Sequence, residues 1–257
     1  MIVHDVEQGS GDWFKARAGI PTASEFHRIV MPGGEPRIKK DGTPYKSKVG
    51  ELAEGRWTYA YELAAERLIG ESKMPLDGLQ WLERGKALEP DAVAHYEFTR
   101  GRKTAKVGFI TPDHGKWGCS PDRLVVGIEG DPLGALEVKC PSATKHLQYF
   151  DDGPGTDYRC QVQGLLLITG FDFHEFLSYH PQLPEVLIRF TRDEEFIAKL
   201  EAGLTQFCDE LDDIVEKVKA AGYVPTPASF ASPVDVAMRA WEGEDAIPGI
   251  VENGWGG

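Results

Sequence analysis

Glu137 and Lys139 stand two residues apart in Gly134-Ala-Leu-Glu-Val-Lys-Cys-Pro141, with β-branched Val138 between them. On a strand, alternate side chains share a face, so the carboxylate and ammonium project together, roughly 6.6 Å apart along the backbone. Val138 then turns to the other side. A second acid, Asp122, opens another apolar run, Leu124-Val125-Val126. Acids and a lysine at the ends of paired strands suit a divalent-cation site with the lysine beside an attacking water. Glu89 precedes Pro90 in a helical stretch, an irregularity at which a side chain can be aimed. Gln161 and Gln163 flank an apolar helix whose one end must open onto something polar. Hard cations such as Mg2+ take oxygen ligands and keep several waters. Glu89, Asp122, Glu137 and the Val138 carbonyl could therefore hold one or two Mg2+ ions, with Mn2+ as a substitute. Two ions ~3.5–4 Å apart stabilise both the attacking and the leaving oxygen of a phosphodiester displacement. Lys139 and Gln161 would serve the attacking water. No G-x-S-x-G elbow competes, and the seven histidines lack the paired spacing of a zinc hydrolase.

A second group lies far upstream. Trp13-Phe-Lys-Ala-Arg17 reads as a short helix closed by Gly19, and Thr22-Ala-Ser-Glu25 has a capping-box pattern before Phe26, Ile29 and Val30. Arg17, Thr22 and Ser24 can be a solvated charge, an N-cap and a first-turn serine. They can also form an anion pocket, since free N–H groups at a helix start favour phosphate.

The elements that must position these groups follow from periodicity. Helices are expected over about 47–69 and 80–99, and over 158–169, where Gly170 stops an apolar run. Strands are expected at 107–111, 123–128 and 135–140, joined by turns as an antiparallel meander, then at 173–179 and 186–191. Phe196, Leu200, Leu204, Phe207, Leu211, Ile214 and Val218 mark one long amphipathic helix with an acidic outer face. The fold class is α/β, a mixed central sheet flanked by helices. Residues 1–223 form the domain, and 224–257, rich in Pro and Gly, read as a tail.

Composition sets the remaining bounds. A chain of 257 residues with 41% hydrophobic and 27% charged residues buries an ordinary single core. No run approaches the ~20 apolar residues that span a bilayer, and the first residues lack signal-peptide character, so no membrane partner and a cytoplasmic location are expected. The four cysteines form no C-x-x-C pair and read as reduced core thiols. The net charge of −13 argues at first against nucleic acid. Residues 192–257, however, carry five Lys and Arg against fourteen Asp and Glu, which leaves only −4 for the rest. Two basic runs stand out, Arg37/Lys39/Lys40/Lys46/Lys48 and Arg100/Arg102/Lys103/Lys106. Phosphate contacts need local positive charge, so DNA is permitted.

Taken together the motifs resemble a known family. Asp122 with Glu137-Val-Lys139 resembles the PD-(D/E)XK nuclease signature. Five stretches are similar, in order, to the motifs of phage λ exonuclease and the YqaJ-type viral recombinase nucleases. They are Trp13–Glu25, Gly85-Lys-Ala-Leu-Glu89-Pro-Asp-Ala, Cys119-Ser-Pro-Asp122, Leu136-Glu-Val-Lys-Cys-Pro141 and Tyr158-Arg-Cys-Gln161-Val-Gln163. The resemblance runs from about residue 4 to 222. It implies a restriction-endonuclease-like core, with Glu89, Asp122 and Glu137 on Mg2+ and Lys139 and Gln161 at the attacking water. It also implies that Arg17, Thr22, Ser24 and Ser120 hold the 5′-phosphate of a recessed strand. The implied activity is 5′→3′ degradation of one strand of duplex DNA, leaving a 3′ overhang for an annealing protein; the λ enzyme is a ring-shaped trimer, which makes a homotrimer one option for this chain. Alternatives are a structure-specific or restriction-type endonuclease on the same core, and an inactive nuclease-derived binding module. Arg123 departs from the pattern, which commonly has Gly after the aspartate. The basic loop at 33–46 is longer than the family pattern leads one to expect, and the tail after 224 has no counterpart in it.

Overall fold

The computed structural model describes residues 1–32, 49–70 and 79–223. The first basic run and the 224–257 tail lie outside these residues. Five strands form a mixed sheet in the order β2 (Lys103–Ala105), β4 (Arg123–Val126), β5 (Pro132–Lys139), β6 (Phe173–Ser178), β7 (Val186–Thr191). The pairings are antiparallel except between β5 and β6, which run parallel with Glu137 opposite Phe176 and Lys139 opposite Ser178. A parallel pair needs a long crossover, here α4 (Ala143–Asp152) and α5 (Asp157–Thr169).

The expected meander is corrected by this topology. The strand at 107–111 is only Phe109–Thr111 (β3), and it leaves the main sheet to pair with β1 (Ile2–His4). The partner of β4 is instead the short strand β2. Neither β1 nor β2 is long enough to show a period, and α4 is a further helix beyond those expected.

Alternation along β5 separates two environments. Leu136 and Val138 turn to one face, where Ala92, Val93 and Tyr96 of α3 (Leu79–Arg100) pack on them with Val125 and Leu177. Pro90 sits within α3, which continues as one helix. Ala135 turns to the opposite face and joins the larger core. That core is built from the 3-10 helix Ala23–Arg28, α2 (Arg56–Ile69), α5 and α6 (Glu194–Ala220). Phe196, Leu200, Leu204, Phe207 and Leu211 are fully buried in it, as the α6 periodicity requires. Helix α2 starts later than expected, because 49–55 form turns and a bridge from Leu52 to Val30. No disulfide joins the four cysteines, and Cys119, Cys160 and Cys208 are buried. Among the described residues no helix is long and apolar enough to cross a membrane.

Candidate functional site

Glu137 and Lys139 do share a face of β5. The Lys139 Nζ lies 2.6 Å from Glu137 Oε1, and the Gln161 amide of α5 donates to that same oxygen at 3.2 Å. Asp122, just ahead of β4, accepts the Val138 backbone N–H through Oδ2 at 2.7 Å. Among the described residues each carboxylate thus spends one oxygen on these bonds and keeps the other, Glu137 Oε2 and Asp122 Oδ1, for something else.

The electrostatics follow from burial. Glu137 is only 4% exposed, which disfavours its charge, but Lys139, His174 and the Gln161 hydrogen bond hold its carboxyl below the usual range. For Asp122 the balance falls the other way. Burial and then repulsion from Glu137 push its carboxyl up to about 7, despite Lys139 and the Val138 N–H. Burial also works against the Lys139 ammonium, yet Glu137 and Asp122 raise its pKa above the ordinary value. Two carboxylates held together, one of them reluctant to ionise, form a site that a cation would complete. The hard oxygen donors fit Mg2+.

Glu89 stands apart from this pair. Its Oε1 lies 3.6 Å from the Arg123 guanidinium, so the residue that departs from the family pattern is the one holding it. Accordingly, no three His, Cys, Asp or Glu groups among the described residues converge on a ready-made metal cluster. Glu89 still faces Asp122 across a cavity of about 410 Å3, and its charge contributes to the raised carboxyl of Asp122.

The upstream residues also meet. Trp13 and Arg17 lie on α1 (Gly11–Arg17), which Ser10 caps by accepting the Trp13 N–H. Ser120 Oγ accepts from Arg17 Nη1 at 3.0 Å and from the Trp13 indole N–H at 3.1 Å. Arg17 Nη2 reaches Thr22 Oγ1 at 3.4 Å, and Thr22 Oγ1 lies 3.4 Å from Ser24 Oγ. The guanidinium stacks 4.1 Å over the Trp13 ring. In these contacts it meets hydroxyls and an aromatic face but no carboxylate, and burial lowers its pKa. Such a cation is available to an anion.

The capping-box expectation fails here. The segment is a 3-10 helix, and Thr22 makes no side-chain cap. Nor is its N-terminus an open cluster of donors. The Thr22 N–H goes to Tyr59 Oη, that of Ala23 to the Gly118 carbonyl and that of Glu25 to the Thr22 carbonyl. The anion pocket therefore rests on the guanidinium and hydroxyls. Gly164 helps place it: a Cβ there would lie 2.4 Å from the Phe26 ring, so only glycine lets this segment dock on α5 beside Gln161.

Three features escaped the motif reading. Gln8 donates to the carbonyls of Val107 and Pro121, each at 2.9 Å, and so fixes the residue before Asp122. His174 is 1% exposed with neither ring nitrogen hydrogen-bonded, and burial lowers its pKa to about 4, leaving a neutral ring near Glu137. The second basic run is largely spent on the protein itself. Arg100 pairs with Glu185, Arg102 lies 3.9 Å from Glu175, and Lys103 lies 3.3 Å from Glu97. Apart from Lys103 and Glu97, which are six residues apart, these contacts depend on long-range packing and have no local sequence signal.

Comparison with known proteins agrees with this architecture. The model of the YqaJ-like viral recombinase domain matches residues 12–172. The alkaline exonuclease LHK-Exo from Laribacter hongkongensis is similar at 30% identity and a TM-score of 0.65, covering 82% of this chain and 97% of its own. Its complex with dAMP gives 31% identity and a TM-score of 0.66 with the same coverage. A phage-related exonuclease from Haemophilus somnus 129PT, 18% identical with a TM-score of 0.57, covers 77% of this chain and 96% of its own and shares the fold. No curated protein matches the chain. With its PD-(D/E)XK-like mixed sheet and its matched motifs, the chain belongs to the YqaJ-like viral recombinase domain family.

Proposed function

We propose that the chain is a Mg2+-dependent 5′→3′ exonuclease of duplex DNA that acts in phage or prophage recombination and leaves a 3′ single-stranded overhang. The observation that carries this reading is the short tether between the two sites. Ser120 of the anion pocket and Asp122 of the carboxylate pair are two residues apart, so their Cα atoms lie within ~7 Å. A strand whose terminal phosphate sits on Arg17, Thr22, Ser24 and Ser120 brings its first phosphodiester to Asp122 and Glu137. That register suits release of one nucleotide at a time, and one neighbour was crystallised with dAMP.

Asp122 Oδ1, Glu137 Oε2 and the Val138 carbonyl would hold the ion, with Glu89 acting across the cavity. A bound divalent cation supplies charge neutralisation at the scissile phosphate and favours ionisation of the attacking water. Lys139, kept protonated by its two acidic neighbours, acts as a fixed positive charge rather than as a base. It orients the water and lowers the cost of its deprotonation. The Gln161 amide, already on Glu137, holds that carboxylate and the water in one arrangement.

The test compares linear duplexes bearing 5′-phosphate and 5′-hydroxyl ends, in Mg2+, in Mn2+ and in EDTA. Rapid loss of the 5′-phosphorylated strand in either metal, and none in EDTA, is the expected result. Equal rates on both ends would remove the pocket from the reading, and equally fast cutting of closed circles would favour an endonuclease. A homotrimer and an annealing-protein partner belong to the same reading. A solution mass three times the 28.4 kDa chain supports the former, and co-purification with an annealing protein encoded beside it supports the latter.

A further inference from the structure

The cavity beside Asp122 has a second wall, formed by the N-terminal segment. Asp5, Glu7, Gln8, Glu89, Lys106 and Asp122 line it, whereas Arg17, Thr22, Ser24 and Ser120 do not. It therefore adds to the site, at Asp122, a space that the anion-pocket residues do not line. The wall is built closely. A Cβ at Gly108 would lie 2.2 Å from the Val6 carbonyl oxygen, and Gln8 ties the segment to Val107 and Pro121. Lys106 is exposed, and it is the one member of its basic run with no carboxylate within ion-pair distance among the described residues. Among the described residues Lys106 is the one cation lining this cavity, and a divalent ion on Asp122 would offset part of the acidic charge around it, so its ammonium is the group placed to meet an anion brought from outside.

We infer that Lys106 binds a backbone phosphate of the strand undergoing degradation, on the side of the scissile bond opposite the 5′-phosphate pocket. The inference rests on the nuclease reading above and adds the contact that keeps the shortened strand bound after each cut.

The test measures KM and kcat of K106A, K106R and K103A on a 5′-phosphorylated linear duplex between about 50 and 200 mM salt, the range over which phosphate contacts register. One phosphate contact fewer lowers the slope of log affinity against log salt by about 1. K106A is expected to show that shallower slope and a raised KM, with kcat changed less than KM and the preference for 5′-phosphate intact. K106R should restore the slope, and K103A, whose ammonium is already paired with Glu97, should match the unsubstituted protein. An active protein in which K106A leaves slope and KM unchanged overturns this inference alone. A wild-type protein without metal-dependent activity overturns both it and the nuclease reading.

Discussion

Asp122 makes the metal-free protein less stable than it could be, and Asp122→Asn measures by how much. The carboxyl titrates near 4 in an unfolded chain and is raised to about 7 in the fold by burial and by Glu137. The folded state therefore binds more protons than the unfolded one between those values, and this contribution to stability falls as pH rises from about 4 to 7. A shift of ~3 units at ~1.4 kcal/mol each sets an upper bound of ~4 kcal/mol at pH 8. Lys139 and the Val138 N–H are already included in that value. The introduced amide can still accept that N–H through its carbonyl oxygen, while its NH2 loses hydration. We expect a net gain of ~2 kcal/mol for D122N in EDTA at pH 8, or a Tm higher by ~4–8 °C. The gain should vanish near pH 4.5, where Asp122 is protonated in the fold. The assay is thermal or urea unfolding of both proteins at the two pH values, with and without Mg2+. Mg2+ should stabilise the wild type at pH 8 and leave D122N nearly unmoved, while D122N loses its nuclease activity. Equal destabilisation of D122N at both pH values would refute the argument, because it would show that Asp122 is held chiefly by its hydrogen bond.

Other perturbations separate the remaining parts. Lys139→Met should lower kcat by about 100- to 10,000-fold, the range of a group acting on the proton transfer. Full activity would show that the water is served elsewhere. Arg17→Ala and Ser120→Ala should bring the rates on 5′-phosphate and 5′-hydroxyl ends towards parity, read from the same two duplexes, and retained discrimination would dismiss the pocket. Gln8→Ala removes two hydrogen bonds, at ~1 kcal/mol each, and lets Pro121 shift. A drop in stability of ~1–2 kcal/mol by urea unfolding, with weaker Mg2+ binding by calorimetry, is expected. Unchanged Mg2+ affinity would separate Gln8 from the site.

The sequence disclosed what local pattern can carry. Strand alternation placed Glu137 with Lys139 and Val138 opposite them, and the period of α6 specified its buried stripe. Gln161 could be expected at a polar site because a glutamine in an apolar helix needs one. What stayed hidden depends on partners distant in sequence. Three-residue β1 and β2 exist only through β3 and β4. Thr22 has the residue type of a cap, yet its hydroxyl meets Arg17 because the chain is held against Gly118 and Tyr59. Lys106 is set apart from Arg100, Arg102 and Lys103 only by where Glu185, Glu175 and Glu97 fall.

The parallel pairing of β5 with β6 also governs the order in which the site comes into being. Asp122 and Glu137 flank the antiparallel pair β4–β5, whose short connection makes it quick to close. Gln161 and His174 reach Glu137 only after the chain has completed a crossover through two helices, a slower search over a longer loop. A refolding chain should thus pass through a stage in which the two acids are already neighbours while α5 and β6 have yet to cover them. Cations present during refolding would act at that stage, before burial has raised Asp122. Stopped-flow refolding that is faster in Mg2+ than in EDTA, for wild type and not for D122N, would reveal the ion as a participant in assembly as well as in hydrolysis.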